Sequence, residues 1–144
     1  VVTATAKPAD ADRLRRYGAD VLIDYVHYQG GAPEVDGQPF DVVLNLVGTA
    51  PDETAALVDV VADGGFFVGT MTSGSQDAPR GVRTQRVFVR SDAHQLAGLV
   101  ARVDTGYLHI NVADRRPLAE IAALHADADA GRLRGKTIVV PTAG

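Results

Sequence analysis

Residues that could act as metal ligands, nucleophiles or acids are scattered along this chain. The sequence has no cysteine, and its histidines include no pair at i and i+4: His27, His94, His109 and His125. We therefore expect no metal site. Thr72-Ser73-Gly74 lacks the glycine that a nucleophile elbow carries two residues before its serine, and there is no Walker motif. His125, on an apolar helical stripe, is interpreted as a core residue, so the catalytic residues stay unknown.

The stretch most typical of a binding site is 40–48, a short β-branched apolar run that ends in glycine. Such a run indicates a strand buried on both faces in the middle of a parallel sheet. A loop, Thr49-Ala50-Pro51, and a helical pattern follow at once. Ligands of open α/β sheets bind beyond the carboxyl ends of the strands, so we expect a ligand at this turn.

Composition excludes several classes of protein. The 144 residues are 46% hydrophobic and 22% charged, which is ordinary for a globular protein. The net charge of −4 gives no reason to expect nucleic acid or an anionic membrane as a partner. No apolar run is long enough to span a bilayer, and no signal peptide is present. We expect a cytoplasmic protein. The chain starts with Val1 inside a predicted strand, which is typical of a fragment of a longer protein.

The elements before the central strand form one predicted βαβ unit. Strands at 1–6 and 21–25 flank a helix at 10–17, which Gly18 ends. Glycine and proline then mark a loop at 26–39.

The remaining pattern also alternates between strands and helices, which predicts an α/β fold. A possible domain boundary lies near Gly106. The predicted elements are a helix at 52–62, strands at 66–70 and 85–90, a helix after Ser91, a strand at 107–112, a helix at 117–130 and a strand at 136–140.

The order of these elements and their short sequence motifs resemble those in one half of the proteins of a known superfamily. The residues that carry the resemblance are Thr3-Ala4-Thr5-Ala6, Arg13-Leu14, Gly18-Ala19-Asp20, the strand from Val21, Phe40-Asp41-Val42-Val43, Val47-Gly48, Gly64-Gly65, Pro117-Leu118, Ala123, His125, Gly131 and the ending from Gly135 to Val140. Together they are similar to the C-terminal, cofactor-binding half of the medium-chain dehydrogenase/reductase superfamily. The nearest branch is the zinc-independent, quinone oxidoreductase-like one.

The resemblance implies a partial Rossmann fold: a doubly wound parallel sheet plus a C-terminal strand–helix–strand piece of the catalytic domain. Residues 1–106 would be the NADP(H)-binding domain, without its first strand and glycine-rich turn, and 107–144 the catalytic piece. The glycine-rich turn normally offers a helix N-terminus to the pyrophosphate. We therefore expect these 144 residues alone to bind a dinucleotide poorly.

The implied cofactor is NADP(H). NAD-binding relatives place an acidic residue at the end of the second Rossmann strand. Here that strand ends without an acid, whereas Thr5 could donate a hydrogen bond and Lys7 could pair with a 2′-phosphate, with Arg13 as a weaker second cation. Lys7 could instead be a solvated turn residue. Tyr25 resembles a family position near the adenine, but it could equally be a half-buried strand residue.

The nicotinamide side follows from the resemblance as well. Val47 and Gly48, and after the next strand Gly69 and Thr70, would place backbone against the nicotinamide ribose. Phe88 and Val89 would meet the carboxamide, although packing at a sheet edge explains both residues as well. Asn45 stands where many relatives carry an acid.

The resemblance implies an oxidoreductase that transfers hydride from NADPH to a quinone, an enone or a related activated alkene or carbonyl. Two alternatives stay open: an enoyl reductase module of a polyketide or fatty-acid system, and a non-catalytic nucleotide-binding fragment that assembles with a partner. The partners implied are a small-molecule substrate, bound through upstream sequence, and a second copy paired along the edge strand at Gln85-Arg90. The substrate and the stereochemistry are not identified.

Overall fold

The computed structural model describes residues 1–24 and 33–141. Contacts divide the chain into two units, Val1–Val89 and Arg90–Gly144. Among the described residues, no helix has the length and apolar character that crossing a membrane requires. Every strand pair in this part of the chain is parallel, which confirms the α/β prediction.

The first unit opens with the predicted βαβ motif. Strand β1 (Thr3–Thr5) pairs in parallel with β2 (Val21–Ile23). Helix α1 (Ala11–Arg16) connects them and ends before Gly18, whose φ of +102° suits glycine. Tyr25, predicted to lie at the end of the second strand, is outside the described residues.

A three-stranded parallel sheet follows. Its order is β3 (Phe40–Asn45), β4 (Val61–Gly69) and β5 (Arg83–Arg86), and helix α2 (Pro51–Asp59) connects the first two strands. Parallel neighbours need a crossover, and α2 provides it. The carboxyl ends of all three strands therefore lie along one edge of the sheet.

The prediction of a helix at 52–62 is wrong at its C-terminal end. Val61 already belongs to β4, where it pairs with Phe40 and is fully buried. Gly65 approaches the neighbouring strand so closely that a Cβ atom there would lie 2.7 Å from the carbonyl oxygen of Asp41. The glycines read as a helix stop thus accommodate an irregularity within a long strand, where the register shifts.

The central strand is not buried on both faces, contrary to expectation. Val42 and Leu44 are 57% and 59% exposed, whereas Val43, on the opposite face, packs against the core. Side chains alternate between the faces of a strand, and within the described residues only one face of β3 is covered. The core itself consists of Leu57, Val58, Val61, Phe67 and Val82.

The edge strand starts and ends earlier than predicted. It spans Arg83–Arg86 instead of 85–90. Strand β4 ends at Gly69, which pairs with Arg86, so the pairing of β5 with β4 reaches no further than the Gly69 carbonyl. One further hydrogen bond extends the pairing, because the N–H of Val87 donates to the Gly69 carbonyl at 2.9 Å.

The second unit contains helix α3 (Ala93–Asp104), strand β6 (Val112–Pro117), helix α4 (Ile121–Asp129) and strand β7 (Lys136–Val140). The prediction of β7 is confirmed. The strand predicted at 107–112 is wrong, because the residues that pair with β7 begin only at Val112. The helix predicted at 117–130 begins with a 3₁₀ turn over Leu118–Glu120.

Ion pairs connect β6 to α4 and to the turn after it. Arg116 binds Asp114 at 2.8 Å and Asp127 at 2.9 Å, and Asp127 also binds Arg132 at 2.7 Å. Hydrogen bonds from Arg116 and Arg132 lower the pKa values of Asp114 and Asp127, respectively, below the ordinary value. These bonds are therefore made by the ionised carboxylates.

This network predicts a stability that depends on pH. A carboxylate whose pKa is lowered by folding stabilises the folded state above its unfolded pKa, and that contribution is lost as the pH falls through the folded value. We expect Asp127→Asn to lower the thermal midpoint at pH 7 and to have progressively less effect below about pH 4. Thermal unfolding of the wild type and the variant at pH 7 and at pH 2.5 measures this. A difference in thermal midpoint that is the same at both pH values would contradict it.

Candidate functional site

The candidate site is the edge of the sheet at which the parallel strands end. Strand β3 ends at Asn45, β4 at Gly69 and β5 at Arg86, and loops leave each end. The loops after β3 and β4 are joined at their start, because the N–H of Thr70 donates to the Asn45 carbonyl at 3.0 Å. Open α/β sheets bind their ligands at this edge.

A network of polar side chains lies beneath these loops. Asn45 and Thr54 are only 6% and 3% exposed. The Asn45 amide nitrogen donates to Thr49 at 3.0 Å and to Thr72 at 3.4 Å. Thr49 in turn lies 2.8 Å from the Thr54 hydroxyl and 3.0 Å from that of Thr72. Sequence reasoning missed this network, because its members are separated along the chain and only the fold brings them together.

The backbone of these loops is accessible in one place and tightly packed in another. Val47 and Gly48 are exposed, as a surface that receives a ligand requires. Gly69 is buried, and a Cβ atom at this position would overlap the carbonyl oxygen of Thr72. Thr70 is partly buried. Of the four residues that the sequence assigned to the nicotinamide ribose, Val47 and Gly48 are therefore accessible, whereas Gly69 is buried.

A second feature lies at the ends of β1 and β2. An open groove of about 200 Å³ is lined by Ala6, Lys7, Pro8, Ala11, Arg15, Leu22, Ile23 and Asp24. Arg13, expected as the second cation, binds Asp10 at 2.7 Å instead. Arg15, two residues further on, lines the groove, and its guanidinium lies 3.7 Å from the exposed Asp12 carboxylate. Thr5 ends β1 beside this groove and is exposed.

Phe88 and Val89 lie beyond the end of β5 and are 75% and 95% exposed. The Arg86 guanidinium sits 4.8 Å from the centre of the Phe88 ring. Neither residue is packed against the sheet edge, so packing does not account for their apolar character. Their contact with a ligand stays a prediction.

The superfamily that the sequence resembles also contains zinc enzymes, and a zinc ion requires several ligand side chains close together. In the described part of the chain, no three histidine, aspartate or glutamate side chains are grouped closely enough to hold a metal ion. His125 is exposed, and the buried residue of α4 is Leu124 instead. The side chains of the described residues therefore do not fit a zinc ion.

Solved structures share this fold. A quinone oxidoreductase of Pseudomonas syringae pv. tomato is 25% identical with a TM-score of 0.66; the alignment covers 96% of this chain and 48% of that one. A mycobacterial protein, Rv1454c, solved with NADPH, is 21% identical over 96% of this chain and 48% of its own, with a TM-score of 0.65. The CurK enoyl reductase is 20% identical over 96% and 46%, with a TM-score of 0.66.

This chain spans less than half the length of each of these three proteins. No curated protein matches it. A family model described as zinc-binding dehydrogenase matches residues 17–139, which is most of the sequence. The parallel α/β fold, its polar edge and this match lead to one assignment: the chain belongs to the zinc-binding dehydrogenase family, within the medium-chain dehydrogenase/reductase superfamily.

Proposed function

We propose that the chain is the cofactor-binding part of an NADPH-dependent oxidoreductase of the zinc-independent, quinone oxidoreductase-like branch. Its substrate would be a quinone, an enone or a related activated alkene or carbonyl. The observation that carries the proposal is the groove at the end of β1, where two cations, Lys7 and Arg15, line the groove with one acid, Asp24, and β1 itself ends without an acid. Similarity to a quinone oxidoreductase at 25% identity supports the substrate class.

The chain's own residues would bind and orient the dinucleotide. Lys7 and Arg15 supply positive charge for a 2′-phosphate, and Thr5 adds a hydroxyl group beside them. The nicotinamide cofactor itself supplies the hydride when bound.

The carboxyl ends of β3 and β4 supply the other half of the binding surface. Val47, Gly48, Gly69 and Thr70 stand at the ends of the two strands where the nicotinamide ribose is expected. Phe88 and Val89 provide exposed apolar surface after the third strand. No residue in the described part of the chain is proposed as a catalytic acid or base.

An enoyl reductase is the second candidate. The similarity to the CurK enoyl reductase, with a TM-score of 0.66, favours it at the level of the fold. Both candidates use the same cofactor site, so substrate assays with a quinone and with an enoyl thioester separate them. A nucleotide-binding fragment without catalytic activity would bind NADPH and turn over neither substrate.

Cofactor preference tests the proposal directly. Calorimetric titration with NADPH and NADH should use both the 144-residue chain and the product of the complete reading frame that contains it. We expect a preference for NADPH, and Lys7→Ala or Arg15→Ala should each weaken NADPH binding about 10-fold to 100-fold with little effect on NADH, since each removes one charge-assisted bond.

Arg16→Ala provides the matched control for this experiment. Arg16 is an exposed arginine of the same helix, but it does not line the groove. The Arg16→Ala variant should have the same affinities for NADPH and NADH as the wild type. Absence of nucleotide binding in both forms of the wild-type protein would overturn the proposed function, and equal affinity for NADPH and NADH would overturn the NADP assignment.

We also propose that the protein forms a homodimer through the edge strand β5 and the residues after it. Within the described residues β5 pairs only with β4, and Phe88 and Val89 extend its edge as exposed apolar surface. Sedimentation equilibrium should give a dimer for the wild type and a monomer for Val89→Arg. A wild-type protein that stays monomeric at high concentration would contradict this arrangement.

A further inference from the structure

The orientation of the buried Asn45 amide is fixed by the backbone. The N–H of Val47 lies 3.3 Å from the side-chain oxygen of Asn45. A backbone N–H can only donate, so the atom facing it must be the amide oxygen. The amide nitrogen therefore faces Thr49 and Thr72, and it donates to both hydroxyl groups.

The direction of the hydroxyl bonds follows from the other end of the network. Thr54 donates to the backbone carbonyl of Ala50 at 2.9 Å, which uses its single proton. The 2.8 Å contact between Thr49 and Thr54 must then use the Thr49 proton. In the 3.0 Å contact between Thr49 and Thr72, the Thr72 hydroxyl must therefore be the donor.

Every contact in this network is matched by one proton. Five contacts need a proton; the three hydroxyls supply three, and the Asn45 amide supplies the other two. A carboxylate at position 45 supplies none, so two of the close contacts would bring together oxygen lone pairs. Asn45 is only 6% exposed, and Thr49 and Thr72 are partly exposed, so little water reaches position 45 to replace the missing protons.

The network also joins the two loops of the candidate site. Asn45 is the last residue of β3, Thr49 lies in the connection after it, and Thr72 follows β4. We propose that Asn45 is a positioning residue whose amide, through Thr49 and Thr72, holds these loops so that their backbone fits the nicotinamide half of the cofactor. This inference rests on the proposed function, because it refines the same site, and it adds that the amide cannot be exchanged for the acid.

Two nucleotides distinguish positioning from general stability. NADP⁺ reaches both halves of the site, whereas adenosine 2′,5′-bisphosphate lacks the nicotinamide and its ribose and tests the adenosine half alone. With the form of the protein that binds NADP⁺, calorimetric titration of Asn45→Asp should show about 10-fold weaker binding of NADP⁺. The affinity for adenosine 2′,5′-bisphosphate should stay within about twofold of the wild type.

Thr72 supplies an independent pair of variants in case the aspartate variant fails to fold. Thr72→Val removes the hydroxyl and should weaken NADP⁺ binding in the same selective way, whereas Thr72→Ser retains the hydroxyl and should restore it. Equal losses for both nucleotides, or equal behaviour of the valine and serine variants, would overturn the positioning role alone. If the wild-type protein binds neither nucleotide, the proposed function fails and this role fails with it.

Discussion

Gly69→Ala is expected to weaken NADP⁺ binding about 10-fold to 100-fold and to lower the free energy of unfolding by about 2 kcal/mol. Gly69 is buried at the end of β4, and a Cβ atom there would overlap the carbonyl oxygen of Thr72. The obstacle is backbone, so the loop itself has to move. That movement would displace Thr72 from the network that joins the two loops of the site.

Gly98→Ala is the matched control for this steric argument. Gly98 lies within α3, and a Cβ atom there would meet nothing within 4 Å. Alanine is favoured over glycine inside a helix by about 0.5–1 kcal/mol, so this variant should be slightly more stable. Urea unfolding and NADP⁺ titration of the two variants measure both effects. A Gly69→Ala protein with wild-type affinity would contradict the close approach of Thr72.

Arg80→Ala is expected to cost about 3 kcal/mol of folding free energy, without any direct effect on nucleotide contacts. The Arg80 guanidinium donates to the carbonyls of Val61 at 2.7 Å, Asp59 at 3.1 Å and Val58 at 3.2 Å, and to the Asp63 carboxylate at 3.2 Å. The last carbonyls of α2 have no partner within the helix. A single side chain therefore closes the end of α2 and fixes it to the start of β4.

Arg80→Gly separates the backbone contribution from that of the side chain. Arg80 has a φ of 62°, a conformation that costs a residue with a Cβ atom about 1 kcal/mol and glycine nothing. The glycine variant should lose the same hydrogen bonds but be about 1 kcal/mol more stable than the alanine variant. Urea midpoints of the two variants give this difference directly. If both unfold together with the wild type, the guanidinium bonds do not stabilise the protein.

The sequence predicted elements well where two signals agreed. At β7, a β-branched run follows a glycine, and the observed strand spans Lys136–Val140, as predicted. At 107–112, alternation after Gly106 indicated a strand without a continuous β-branched run, and the pairing begins instead at Val112. Alternation shows which residues could share a face, but it does not show whether a neighbouring strand reaches them.

Burial was harder to predict than secondary structure. The apolar run of β3 looks the same whether one face or both are covered, and Val42 and Leu44 turn out to be exposed. Similarly, the sequence indicated Arg13 as the second cation, whereas in the structure Arg13 binds Asp10 and Arg15 lines the groove. The Asn45 network required the fold, since Thr72 is distant from Asn45 along the chain.

Every strand pair within the described residues is parallel, and this has a consequence for the rate of folding. In each sheet the paired residues are far apart in sequence: Thr3 pairs with Val21, Val42 with Phe66 and Val112 with Lys136. Within the described residues, no two strands form a hairpin, so no strand pair can form early in folding by closing a short turn. Each ladder must first close a loop that contains a helix or a long connection, and such high contact order slows folding to the millisecond-to-second range. Refolding after dilution from urea should therefore be slow compared with that of a helical bundle of similar length.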